Sequence, residues 1–136
     1  MTIRAAAVDD VAAIAAIQQL SPEASQWDPA SYLAYDCSVA ASDERVLGFL
    51  VTRQTAPDER EILNLAVDPS ERHSGIARAL LECELDRDKT RWFLEVRESN
   101  TRAIRVYEKA GFRVAGRRES YYSNPAEPGI VMKFNS

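Results

Sequence analysis

Apolar residues recur about one helical turn apart at Val11, Ile14, Ile17 and Leu20. That spacing predicts an amphipathic helix in the alanine-rich start of the chain, with or without a short strand before it. Asp9 or Asp10 can cap it, and Ser21-Pro22 ends it. A second, short helix is expected from Pro29 to Tyr35, with Asp28 as cap and Pro29 at its first position. The period then shortens to two. Ser38 to Ala41 and Val46 to Thr52 read as a hairpin around Ser42-Asp43-Glu44. After a turn at Ala56-Pro57-Asp58, Glu61 to Val67 alternates apolar and polar residues and reads as a third strand.

Asp68-Pro69 stops that strand, and a polar loop, Ser70 to Ser74, leads to Gly75. A helix is expected from Ile76. Its core face is Ile76, Leu80, Cys83 and Arg87, with Leu81 beside it. Arg91 to Arg97 is a strand with Trp92, Leu94 and Val96 on one face and Phe93, Glu95 and Arg97 on the other. Ser99-Asn100 caps a last helix, Thr101 to Ala110, which Gly111 ends in a left-handed turn. Phe112 to Tyr121 and Ile130 to Phe134 are two final strands, joined by a loop from Ser123 to Gly129. The order of elements predicts an α/β (α+β) fold, a mixed central sheet flanked by helices.

With 136 residues the chain makes one domain, long enough to bury about two-thirds of its unfolded surface. Hydrophobic residues at 46% and charged residues at 28% exclude a disordered tail, a collagen-like chain and a small disulfide scaffold. A net charge of −4 makes a poor sequence-independent nucleic-acid binder, which must neutralise phosphates. No apolar run approaches the roughly 20 residues of a membrane span, and no secretory leader is evident. Cys37, Cys83 and His73 do not assemble a metal site by spacing, so no metal is expected. With Cys83 placed on a core face, the expectation is a buried, reduced thiol in a cytoplasmic protein.

Candidate chemistry begins at the loop Arg72-His73-Ser74-Gly75-Ile76-Ala77. Backbone N–H groups at a helix start lack helical partners and carry the positive end of the dipole. Gly75 lets a ligand come close to the backbone, Ala77 keeps the approach open, and Arg72 adds charge. These are the needs of a pyrophosphate site, although the bare pattern also describes an ordinary polar loop. It is neither a Walker loop nor a dinucleotide fingerprint.

The wider run is more specific. Val67-Asp68-Pro69-x-x-Arg72-x-x-Gly75-Ile76-Ala77-Arg78-Ala79-Leu80-Leu81 resembles the acyl-CoA-binding motif of the GNAT N-acetyltransferase superfamily. Leu94-Glu95-Val96-Arg97-x-Ser99-Asn100-x-x-Ala103-Ile104-x-x-Tyr107-Glu108-x-x-Gly111-Phe112 resembles the ribosomal-protein-alanine N-acetyltransferases within it. The resemblance is strong from about residue 60 to 134; before that, only the order of elements matches. It implies a splayed sheet with acetyl-CoA as cosubstrate in the opening between the strands ending near Val67 and Arg97. Pantetheine would pair with backbone at Leu65, Ala66 and Val67, and the pyrophosphate would lie on Arg72, His73, Ser74, Gly75, Ile76 and Ala77. Asn100 would contact the CoA arm, and the Val67 N–H would polarise the thioester carbonyl. The connection Asp86–Thr90 is shorter than the family pattern, a departure that bears on the rim of the cleft.

Amide formation from a thioester and an amine needs an unprotonated amine, a donor for the oxyanion and a proton for the leaving thiolate. Glu95 is the candidate base, with Phe93 and Arg97 as neighbours on its face; from the strand alone it is as well read as a surface carboxylate. Tyr107, on the helix face of Ala103 and Ile104, is the candidate acid or else a core tyrosine. The resemblance implies the catalytic role for both. Tyr121 and Tyr122 wall the acceptor site or only pack. His73 itself has no partner in view, and Arg117-Arg118 reads as a solvated strand edge. The acceptor implied is a protein N-terminal α-amine, alanine on a ribosomal protein. A small amine or a lysine, and a silent acyl-CoA-binding module, are the alternatives. Monomer and homodimer both stay open.

Overall fold

The computed structural model describes residues 1–122 and 126–135, the side chains of Ser120, Tyr121 and Asn135 excepted. Residues 123–125 of the expected loop and the wall suggested for the Tyr121 side chain therefore lie outside what is described. Strands β1 (Thr2–Ala5), β2 (Asp36–Ser42), β3 (Arg45–Ala56), β4 (Glu59–Val67), β5 (Arg91–Arg97), β6 (Arg113–Tyr122) and β7 (Glu127–Asn135) form one mixed sheet. Their spatial order is β1-β2-β3-β4-β5-β7-β6. β4 and β5 are parallel, and every other neighbouring pair is antiparallel. Helices α1 (Val11–Gln19), α2 (Ile76–Arg87) and α3 (Thr101–Ala110) cover the sheet.

Two apolar clusters sit on the two faces. Ile14 and Ile17 of α1 pack with Tyr32, Val39, Phe49 and Val51. On the other face Leu80 and Leu81 of α2 and Tyr107 of α3 pack with Leu50, Trp92, Leu94 and Met132. The expected alternation in β5 holds, with Trp92, Leu94 and Val96 all buried. The segment Pro29–Ala34 is a 3-10 helix rather than an α-helix, with the Asp28 side chain accepting from the Ala30 N–H. Gly111 ends α3 at φ +112°, and a Cβ there would lie 2.7 Å from the Phe134 ring.

Three expected core-face positions are corrected. Leu20 is exposed, because α1 ends at Gln19 and releases the next residue to solvent. Cys83 and Arg87 are exposed too. The buried stripe of α2 is Ile76, Leu80, Leu81, Glu84 and Leu85. Glu84 is tolerated there because it accepts from the Ser38 hydroxyl at 3.1 Å and pairs with Arg87. The buried thiol is that of Cys37, and burial pushes its pKa up to about 12.

The strand pair that makes the cleft departs from simple alternation. β3 opposes Thr52 to Ile62 and Val51 to Asn64, leaving Leu63 as an extra residue, a bulge. Pairing of β4 with β5 stops at the same place: it runs from Glu59–Arg91 to Ile62–Leu94 and no further. A bulge bends its strand and strengthens the twist, so β4 swings from β5 beyond Ile62. β5 remains paired with β7 along its whole length.

Candidate active site

The gap between the parting strands is one cleft with two halves. One half, about 390 Å³, is bounded by Leu65, Ala66 and Val67, by Arg72, His73, Gly75, Ile76 and Ala77, and by Asn100 at the start of α3. Of the ten positions expected to hold the cosubstrate, only Ser74 stays off this wall; its hydroxyl donates to the Glu71 carbonyl instead. The second half, about 650 Å³, takes in Glu95, Tyr107 and Tyr122 together with residues 22–27. Glu23, Ala24, Leu65, Asn100 and Ala103 border both halves.

The end of α2 facing the first half is built for an anion. Gly75 is its N-cap in the left-handed region, φ +84°, and no side chain caps the helix. The first helical bond is from Ala79 N–H to Gly75 C=O at 3.0 Å, so the N–H groups of Ile76, Ala77 and Arg78 have no partner within the helix. Space in front of Gly75 is open: a Cβ there would meet nothing within 4 Å.

The β4 edge offers backbone. Asp68 N–H donates to Leu47 C=O at 2.8 Å. Bonded pairs alternate along an antiparallel ladder, so Asn64 and Ala66 also turn their backbone to β3, while Leu65 and Val67 turn theirs to the gap. The Leu65 N–H is already taken by the Asn64 side-chain oxygen at 3.0 Å. That narrows the expected pairing edge to the Leu65 carbonyl and Val67.

Asn64 belongs to a network the sequence did not reveal. Gln18, Tyr32 and Asn64 are all buried. Asn64 Nδ2 donates to Gln18 Oε1 at 3.2 Å, Tyr32 Oη at 3.0 Å and the Ser25 carbonyl at 3.0 Å. Gln18 Nε2 donates to the Trp27 carbonyl at 2.6 Å. These bonds tie residues 25–27 to β4 and so set the outer wall of the second half. Glu23 ties the same segment to the first half. Arg72 donates to its carboxylate at 3.3 Å, Arg102 lies 3.8 Å from it, and Asn100 Nδ2 donates to its carbonyl at 3.3 Å. Arg72 thus brings the expected charge to the cleft while already paired with Glu23.

Glu95 and Tyr107 both face the second half. The Glu95 side chain is mostly buried, and among the described residues its Oε2 has no hydrogen-bond partner. Its Oε1 accepts from Arg118 at 2.8 Å. The cation that hydrogen-bonds Glu95 is therefore Arg118, while Arg97, the expected neighbour on the same face of β5, borders the same cleft half. Arg97 is held by Glu127 at 3.0 Å and lies over the Tyr122 ring at 4.6 Å. Arg117 fits the solvated edge expected of Arg117-Arg118, pairing at 2.8 Å with the equally exposed Glu98, whereas Arg118 reaches Glu95. Tyr107 is 5% exposed, and burial, with Tyr122 nearby, holds its phenol pKa well above the ordinary value.

The short connection after α2 does not touch the cleft. α2 runs to Arg87 and the chain enters β5 at Arg91. In a parallel pair that entry lies at the paired end, remote from the opening. Among the described residues no helix is long and apolar enough to cross a membrane.

Comparison with known proteins gives the family and agrees with the fold. Residues 8–112 match the family model described as Acetyltransferase (GNAT) family. The chain is 40% identical over 97 residues to the ribosomal protein bS18 alanine N-acetyltransferase of Salmonella typhimurium, across 67% of this chain and 65% of that protein. It superposes on the crystal structure of the ribosomal-protein-alanine N-acetyltransferase from Escherichia coli with TM-score 0.82 and 31% identity, covering 98% of this chain and 92% of that one. The corresponding Brucella melitensis structure, at 18% identity, TM-score 0.80 and full coverage of both chains, shares the fold.

Proposed function

Because the chain belongs to the acetyltransferase (GNAT) family, we propose that it transfers the acetyl group of acetyl-CoA directly to an amine, and that the amine is the N-terminus of a protein. The observation that carries this reading is the pairing, in one cleft half, of a buried phenol and a buried carboxylate oxygen that has no hydrogen-bond partner among the described residues. A module that only bound acyl-CoA would need neither. The anion-ready start of α2 and the free backbone of Val67 supply what the cosubstrate needs. A pyrophosphate fits the uncapped N–H groups, and a pantetheine arm can extend the sheet as a peptide would.

In the proposed reaction Glu95 Oε2, directly or through a water, takes a proton from the ammonium, and the lone pair of the freed amine bonds to the thioester carbon. The Val67 N–H stabilises the oxyanion, and the C–S bond breaks as Tyr107 gives its proton to sulfur. The second proton on nitrogen passes to the Tyr107 phenolate, leaving a neutral amide and the CoA thiol, and Glu95 releases its proton to solvent. The raised pKa keeps Tyr107 in the donor form at every working pH. Desolvation penalises the departing thiolate in the same place, so the mismatch between donor and acceptor is smaller than the phenol's shift alone suggests.

The acceptor follows from energetics and from what this chain resembles. An α-amino group has a pKa of about 7.7–8.0 and a lysine about 10.4, so freeing the lysine costs about 3–4 kcal/mol more at neutral pH. One carboxylate suits the easier task. The relatives' names add an N-terminal alanine on a ribosomal protein. Mass spectrometry on an alanine-initiated peptide and its N-terminally blocked, lysine-containing twin tests this. Acetylation of the first is expected, and faster acetylation of the blocked twin overturns the reading.

A further inference from the structure

We propose that Arg118 is a positioning residue for catalysis, fixing the Glu95 carboxylate so that one oxygen is held and the other faces the amine. The proposal rests on the assignment of Glu95 as base. It starts from the sheet. Arg118 stands on β6, two strands from β5, opposite Gly129 of β7, which is itself opposite Arg97. Gly129 has no side chain, so nothing rises from that position between the guanidinium and β5. Arg118 reaches diagonally across β7 to Glu95 Oε1 at 2.8 Å.

The other cation on the same face of β5 is engaged elsewhere. Arg97 is occupied by Glu127, which also accepts from the Ser99 N–H and hydroxyl. Among the described residues the hydrogen bond from Arg118 is thus what orients Glu95, and it engages only Oε1. Oε2 is left buried and, among the described residues, without a hydrogen-bond partner. A glutamate alone has several rotamers, and a buried carboxylate with no partner is costly. Anchoring one oxygen on a guanidinium offsets that cost and stops the side chain from rotating. The oxygen that must take the proton is then presented without reorganisation. The guanidinium is half-exposed, and solvent screening limits what the pair adds to stability, so the contact is better explained by orientation than by folding.

The test uses the full chain and steady-state kinetics with both substrates. Arg118→Ala should lower kcat about 10- to 100-fold, the scale of a misplaced catalytic group, with KM for acetyl-CoA within twofold and a melting temperature lowered by no more than about 5 °C. Millimolar guanidinium chloride should restore part of that rate and leave Glu95→Gln unaffected. Arg118→Lys, which keeps the charge but not the planar fork, should fall between. A kcat for Arg118→Ala within twofold of wild type, while Glu95→Gln is impaired, overturns this proposal alone. Loss that neither guanidinium nor lysine relieves also overturns it. Full activity in Glu95→Gln overturns the base assignment and this proposal together.

Discussion

The same two strands serve opposite ends at their two ends. From Glu59 to Ile62, β4 pairs with β5 and closes on itself. Arg60 lies over the Trp92 ring at 5.5 Å, donates to Thr52 at 3.0 Å and pairs with Asp36. The Trp92 indole N–H donates to the Asp88 carbonyl at 3.1 Å. Most polar groups at this end are spent on one another, with Arg60 Nε buried 3.6 Å from Asp88 and short of a hydrogen bond among the described residues. Past the Leu63 bulge the unpaired groups converge on an opening instead. Glu95 Oε2, the N–H groups at the start of α2 and the Val67 backbone face a gap rather than internal partners. Burial without satisfaction costs stability, and it persists here where a ligand would satisfy it. One end of the strand pair stabilises the domain, and the other turns polar groups to an opening, as the proposed chemistry requires.

Two substitutions, one at each end, should separate these roles most widely. Trp92→Ala removes a side chain that is 1% exposed and should cost about 3–5 kcal/mol of stability, read as a lower denaturant midpoint. The fraction still folded in the cold should turn over within a few-fold of wild type. Tyr107→Phe keeps the ring and its edge contact with Phe112 but removes the proton. It should leave the midpoint nearly unchanged and lower kcat about 10²-fold or more. If Tyr107→Phe loses less than tenfold while chemistry is rate-limiting, the phenol is packing, and the contrast between the two ends fails.

Much of this division was legible in the chain. The apolar spacing in Trp92, Leu94 and Val96 and the Asn100 and Gly111 caps of α3 sufficed to place β5 and α3, and with them Glu95 and Tyr107. What stayed hidden depends on partners remote in sequence. The bulge at Leu63 is defined only by what β3 sets opposite it. Glu84 took a core position because Ser38 meets it, so a search for apolar spacing chose Cys83 instead. Arg118 lies two strands from Glu95, while Arg97, two residues away, looked like the natural neighbour. The Gln18–Tyr32–Asn64 network joins three elements through polar atoms that hydrophobic periodicity does not register.

A smaller effect should appear at the start of α2. Gly75→Glu places a carboxylate where the pyrophosphate is proposed to lie, in a conformation that strains an L-residue by about 1–2 kcal/mol. CoA affinity in titration calorimetry should fall at least about tenfold, equivalent to about 1.4 kcal/mol. Gly75→Asn, neutral and more tolerant of the left-handed region, should lose less. Equal, wild-type-like affinity in both would remove the phosphates from this loop and leave the open end without its anion site.

The smallest expected effect has the opposite sign and concerns the residue shared by both halves of the cleft. Glu23 holds Arg72 through its carboxylate and Asn100 through its carbonyl. A phosphate that approaches Arg72 must compete with that carboxylate and face its charge. Glu23→Gln keeps the carbonyl contact and removes the competitor. The pair is partly exposed, and such pairs contribute about 0.2–1 kcal/mol, so CoA should bind about two- to fivefold more tightly. The gain should shrink as salt rises, because screening already weakens the competition. Titrations at low and high ionic strength would show both features. Weaker binding in Glu23→Gln would instead mean that the Glu23–Arg72 pair holds the loop in the shape the cosubstrate requires, making the clasp part of the binding site rather than a rival for it.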